Sequence, residues 1–168
     1  MRILQLVTKP QRRGAEIFAC QLNQWLQDQG HDVLTLYLYH FMGQESLQPS
    51  TPNTNALAEQ HSPLEKLPGL NPWLAIYLRK TLNLFRPDVI QANGGRALKY
   101  AALARKISPS PSVLIYRCIG SPRFWAKGLV RYLKIAAVRM ADGVVAVSDA
   151  TLSEFGNPSP HQLQRRIH

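Results

Sequence analysis

The chain opens on a short apolar run, Ile3 to Val7, that stops at Thr8, Lys9 and Pro10. A β-branched run of that length between breakers predicts a central strand. From Ala15 onward the apolar positions Ala15, Phe18, Ala19, Leu22 and Leu26 recur at three and four, a helical spacing that Gly30 ends. "HDVLTLYLY" then returns to period two, so the first forty or so residues spell strand, helix, strand. That is a βαβ unit, with parallel pairing and a right-handed crossover.

Residues 40–70, rich in Gln, Ser, Thr, Asn and Pro, predict a long variable surface loop with one short helix near Leu57. "NPWLAIYLRKTLNLFRP" predicts a helix opened by Asn71-Pro72 and ended by Pro87. Its broad apolar face would hold Trp73, Leu74, Tyr77, Leu78, Leu82 and Phe85. "DVIQANGG" reads as a strand running into a glycine pair, followed by an Ala-rich helix over 97–107. "SVLIYRCIG" repeats strand and turn, a helix spans 123–140, and strand "GVVAVS" leads to a last helix with Ser148 as N-cap. Five strands alternating with helices, with no repeat of fixed period, predict an α/β domain over 1–156: a doubly wound, Rossmann-like parallel sheet with helices on both faces. The tail "GNPSPHQLQRRIH" carries prolines and a basic stub, and residues 157–168 are expected to begin a linker to a C-terminal domain.

Doubly wound sheets bind ligands beyond the carboxyl ends of their strands, so candidate chemistry belongs in turns 8–14, 92–96 and 117–123 and at Ser148. Gly14 stands where strand gives way to helix; it either makes a tight turn or lets a ligand approach the backbone at an anion-binding helix start. Arg12 and Arg13 are phosphate ligands or solvated loop charges, and Glu16 either complements the helix dipole or takes part in chemistry. "NGGR" repeats the device at Asn93, Gly94, Gly95 and Arg96; the Asn93 amide can bind a sugar hydroxyl or cap the turn. G-x-G-x-x-G follows none of the strands, which weakens a nicotinamide-dependent oxidoreductase reading. His31, His40 and His61 have no fixed relation to a nucleophile, so no catalytic residue is assigned.

Charge narrows the partners. Twenty Lys and Arg against ten Asp and Glu leave +10, with pI near 10.1, while 45% apolar and 18% charged residues describe a globular chain. Nucleic acid, an anionic membrane surface and phosphorylated ligands all suit that excess. Part of it forms a stripe: at about 100° per residue, Arg123, Lys127, Arg131 and Lys134 share one side of the 123–140 helix, and no acid lies between Pro122 and Ala141. An ordinary surface helix, a phosphorylated acceptor site and a membrane-resting face all remain open. Cys20 and Cys118 lack the spacing of a disulfide framework or zinc site, so a reducing compartment and no metal are expected. The N-terminus lacks a signal-peptide h-region and nothing uncharged reaches membrane-spanning length, so the expected location is cytoplasmic, peripheral to the inner face of the membrane at most. Aromatic residues do not interleave with basic ones on a strand platform, so nucleic acid is not the expected partner. A non-enzymatic basic α/β module binding nucleic acid or an anionic surface is the alternative.

"MRILQLV...RRGAEIFACQLNQWLQDQGHDV", "RPDVIQANGGRALKYAALARKI" and "RMADGVVAVSDATLSEF" together resemble the N-terminal, acceptor-side domain of glycosyltransferase family 4, the retaining enzymes of GT-B fold. The resemblance implies two facing Rossmann-like domains, with a saccharide or lipid-linked acceptor on this one. The nucleotide-sugar, a substrate rather than a cofactor, would bind mainly on a C-terminal domain supplied in cis or trans. It places Gly14 as the loop glycine that approaches the donor's phosphate or sugar, flanked by Arg13 and followed by Glu16 in the family's Gly-Ala-Glu pattern. Asn93 and Gly94 line the cleft where many members have histidine. Arg117 and Cys118 occupy a turn where many place another histidine, and Ser148 ends the last strand. The paired-glutamate motif of the donor domain is absent from these residues, so the chain by itself is expected to be inactive.

Overall fold

The computed structural model describes residues 1–39, 54–56, 71–120, 129–149 and 151. The opening run forms β1 (Arg2–Val7), and helix α1 (Gly14–Asp28) follows. Gly30, at φ +80, closes α1 with its N–H on the Gln27 carbonyl, and the chain then enters β2 (Asp32–Tyr37). Helix α2 (Pro72–Phe85) starts where Asn71 Oδ1 accepts the Trp73 N–H at 3.0 Å, and ends at Arg86 in the left-handed region, just before Pro87. β4 (Val89–Asn93), α3 (Gly95–Lys106), β5 (Val113–Cys118), α4 (Leu129–Arg139) and β6 (Gly143–Ala146) complete the alternation.

Among the described residues the sheet has six strands rather than the expected five, because β3 (Thr54–Ala56) lies inside the segment read as loop. Three residues of Thr, Asn and Ala show no hydrophobic period; β3 is an edge strand defined by pairing Thr35 with Thr54 and Tyr37 with Ala56. The short helix near Leu57, the 156/157 boundary and linker, and Arg123 and Lys127 lie outside the described residues.

The strand order is β3-β2-β1-β4-β5-β6, all parallel. Chain order reverses between β1 and β4, where Leu4 pairs with Ile90 and Leu6 with Ala92. That is the topological switch point of a doubly wound sheet. Side chains alternate between two unlike faces. One carries Leu4, Leu6, Leu36, Ile90, Leu114 and Tyr116 against Leu74, Leu78 and Leu82 of α2, the alanines of α3 and Ala137 of α4; this is the main core. The other packs Val7 and Tyr37 on Ala19 of α1, but also buries Gln5, Thr35 and Asn93. Asn23 of α1 donates to Thr35 Oγ1 at 2.9 Å, so the buried stripe of α1 centres on Ala19 and Asn23 and leaves Phe18 at the surface. On α2, Trp73 and Tyr77 are likewise exposed, and Ala75 takes their expected place in the core.

Candidate functional site

At the carboxyl edge, β1, β4 and β5 deliver their ends side by side. β1 continues its pairing past its last residue, with the Leu38 N–H on the Val7 carbonyl and the Tyr39 N–H on the Thr8 carbonyl. The chain then turns tightly, the Arg13 N–H reaching the Gln11 carbonyl at 2.9 Å, and enters α1 with Arg13 as an extended N-cap. Arg13 makes no capping hydrogen bond through its own side chain. Arg12, Arg13 and Gly14 are exposed. A Cβ built on Gly14 meets nothing within 4 Å, so open space rather than backbone need distinguishes this position.

Gly94 is the opposite case. Its φ of 94 and ψ of 163 lie where side-chain-bearing residues are excluded, its N–H donates to the Arg117 carbonyl at 3.1 Å, and an added Cβ would meet Ile119 Cδ1 at 3.4 Å. Gly94→Ala is therefore expected to cost about 1–3 kcal/mol, read as a lower urea midpoint, while Gly14→Ala leaves that midpoint nearly unchanged.

The Asn93 amide does neither of the things the sequence left open. It is buried, donating to Gln5 Oε1 at 2.9 Å and to the Leu6 carbonyl at 3.4 Å, and its Oδ1 accepts from Gln91 Nε2 at 3.2 Å. It ties β4 to β1 at the switch point instead of reaching out for a hydroxyl. Strand period also separates the neighbours Arg117 and Cys118. Cys118 points into the main core, with its thiol on the Gly120 carbonyl at 3.1 Å, so it faces away from Arg117. Ser148 acts as the expected cap: its Oγ accepts the Thr151 N–H at 3.2 Å.

Arg117, paired in register with Asn93, turns toward α1 and lays its guanidinium over the Phe18 ring, 3.7 Å from the centroid. Glu16, also half-buried, stands one turn into the same helix. Burial pushes the Glu16 carboxyl above its usual range, while its own backbone N–H and the charges of Arg13 and Arg117 act in the opposite sense. Burial likewise pulls Arg117 down, and Glu16 pulls it back. The two side chains feel each other's charge but do not come within the 4.0 Å of an ion pair. Glu16 Oε2, Arg117 Nη1 and Gln5 Nε2 are each buried without a hydrogen-bond partner. Phe18 on its own reads as one more core position of the helix pattern, so its role as a platform for Arg117 was not legible.

Of the basic stripe, Arg131 is exposed on α4 and Lys134 is half-buried. Lys134 and Arg96 act together on Lys99 of α3, whose ammonium is held below its usual range first by burial and then by these two like charges. Arg96 and Lys9 also approach the buried Tyr39 ring, at 5.9 and 6.0 Å from its centroid. The buried side of α4 centres on Ala137, with Val138 and Met140 packed beside it, and Ala136 is exposed. Among the described residues no helix is long and apolar enough to cross a membrane. A cleft of about 690 Å³ lined by Arg2, Arg86, Asp88 and the 109–111 loop lies at the opposite, amino-terminal edge, away from these turns.

The family model described as Glycosyltransferase Family 4 matches residues 12–162. Among solved structures the chain is similar to Anabaena Alr3699/HepE in complex with UDP, at 22% identity and a TM-score of 0.65, over 92% of this chain and 40% of that one. It is similar to the UDP-GlcNAc 2-epimerase from Methanocaldococcus jannaschii, at 12% identity and a TM-score of 0.60, over 100% of this chain and 43% of that one. A third similarity is to an alpha-glucosyltransferase in complex with UDP and a mismatched 13-mer DNA, at 17% identity and a TM-score of 0.54, over 90% and 38%. At these identities the likeness is one of fold, and the chain spans about two fifths of those structures. A search of the curated proteins finds no match.

Proposed function

This chain belongs to glycosyltransferase family 4, and on that premise we propose that it is the N-terminal, acceptor-side domain of an enzyme that transfers a sugar from a nucleotide-sugar with retention. The observation that carries this reading is the match of the family model over residues 12–162, on a sheet whose switch point opens between the β1, β4 and β5 turns. HepE with UDP-glucose bound has the same fold over this region, which supports a nucleotide-sugar as donor. The donor would be held mainly by a second lobe, on the same polypeptide or a separate one, and would meet the start of α1 at Gly14. Backbone N–H groups there favour a leaving diphosphate's charge.

The acceptor in this reading is a saccharide or lipid-linked acceptor, in cytoplasmic polysaccharide synthesis. Arg96, Lys99, Arg131 and Lys134 support it, as a positive flank on α3 and α4 suited to a phosphate or to anionic lipid at a membrane surface. The test mixes this chain with a matching donor-side lobe, a nucleotide-sugar and saccharide acceptors. Transfer that needs both halves is the expected result. A formed interface with no turnover on any acceptor would sink the reading.

A further inference from the structure

We propose that the outer surface of the α2-α3-α4 layer is a docking face for an anionic bilayer. Trp73, Tyr77 and Leu84 of α2 and Tyr132 of α4 enter its headgroup region, and Lys80 meets lipid phosphates. Such docking is independent of sugar transfer and gives this domain a second binding surface.

Two observations carry it. The first is that α2 is apolar on both sides. Its inner side, Leu74, Leu78 and Leu82, is sealed in the main core. At about 100° per residue, Trp73, Tyr77, Lys80 and Leu84 gather within about 60° on the opposite side, and Ile76 stands beside them. This side is at the surface: Trp73 is 61% and Leu84 75% exposed, and on α4 Tyr132 is 72% exposed. Single exposed apolar residues are ordinary, but a stripe about three turns long that faces away from the core marks a surface that meets another apolar phase.

The second is the sign of the charge around that stripe. α2, α3 and α4 pack side by side on one face of the sheet and carry two, four and three Lys or Arg respectively, without a single Asp or Glu. α1, on the other face, has the reverse composition, with Glu16 and Asp28 and no Lys or Arg. The domain is thus polarised across its sheet, and its basic side is also the side with the apolar stripe. Arg105 of that side is tied to Asp142, but Arg79, Lys80, Arg96 and Arg131 are exposed. Electrostatic attraction draws such a face to anionic headgroups, and Trp and Tyr settle at the boundary with the acyl chains, where an apolar ring and its polar edge are both satisfied. A nucleic acid would answer the charge but leave Ile76 and Leu84 in water. Among the described residues no helix is long and apolar enough to cross a membrane, which fits contact in the plane of the interface.

The test is co-sedimentation of the 168-residue chain with vesicles of phosphatidylcholine alone and of phosphatidylcholine mixed with phosphatidylglycerol. The expected result is binding to the anionic vesicles and little to the neutral ones. Trp73→Ser combined with Leu84→Ser weakens it at least about tenfold by removing the inserted side chains. Lys80→Glu weakens it about thirtyfold at low salt, because each cation near an anionic surface contributes about fivefold and the reversal counts twice. Trp25→Ser, on the exposed side of α1, is the control and leaves binding unchanged. All four positions are exposed, so the variants keep the parent's melting temperature. No binding to anionic vesicles, or an equal loss from Trp25→Ser and from the Trp73 and Leu84 pair, overturns the proposal. Vesicle binding that Lys80→Glu reduces and the Trp73 and Leu84 pair does not would make this face a general polyanion site and overturn it as a membrane surface. Sugar transfer without vesicle binding would remove the docking face and leave the transferase reading standing.

Discussion

Replacing Leu78 with alanine is expected to lower the unfolding free energy by about 3 kcal/mol. Leu78 is 0% exposed at the middle of α2, one turn from both Leu74 and Leu82, in the core that α2 shares with Leu4, Ile90 and Leu114 of three adjacent strands. Truncation removes the transfer free energy of the side chain and leaves a cavity, because a helix pinned by Leu74 and Leu82 cannot shift inward to fill it. Leu84 on the same helix is 75% exposed, so Leu84→Ala is expected to change stability by less than about 0.5 kcal/mol. Urea unfolding of both variants at unchanged slope checks the pair. Equal losses would mean that α2 is not seated on the sheet by the face described.

The second large effect is expected at Arg105. Its guanidinium donates to Asp142, to the Met140 carbonyl at 2.7 Å and to the Ser112 carbonyl at 3.2 Å, and Asp142 Oδ2 also accepts the Leu114 N–H at 2.8 Å. One side chain at the end of α3 thereby ties the entry of β5 to the entry of β6. Arg105→Met removes every bond of that fork and leaves the Asp142 carboxylate in a niche where both side chains are only 21% exposed. Breaking a fully buried pair costs about 3–5 kcal/mol, and residual solvent access reduces this to about 2–3 kcal/mol. Adding Asp142→Asn to Arg105→Met is expected to restore part of the loss, because the half-buried carboxylate then no longer carries a charge without its guanidinium. A double-mutant cycle measures that coupling. Strict additivity of the two substitutions would remove the pair from the account of how β6 is held.

The chain's own pattern disclosed the alternation of strands and helices and the edge of the sheet that gathers the candidate turns, because parallel strands and their crossover helices leave strong periods. It failed where backbone pairing alone makes structure, as in β3. It also misplaced faces wherever burial was polar. Gln5 inside an apolar strand and Thr35 in "VLTLY" were the visible signs that the α1 side of the sheet is lined with amides and hydroxyls, which moved the buried stripe of α1 to Ala19 and Asn23. Among the candidate residues, Gly94 carries a backbone requirement and Gly14 does not, a difference of φ that spacing cannot express. Asn93 turned inward because Gln5 and Gln91 offered it partners, and Cys118 because strand alternation gives adjacent residues opposite faces. Arg117 and Glu16 came together through tertiary packing between β5 and α1.

The bond from Asn93 to Gln5 spans 88 positions of the chain, which bears on the order in which the domain can assemble during synthesis. β1 leaves the ribosome before either of its neighbours, so one flank waits for β2 and the other for β4. At roughly 5–20 residues per second, its polar face would stay half-paired for several seconds before the amide partner on β4 emerges. The β1-α1-β2 segment therefore has no finished sheet to rest on, and nascent chains that end before β4 should remain open to proteolysis.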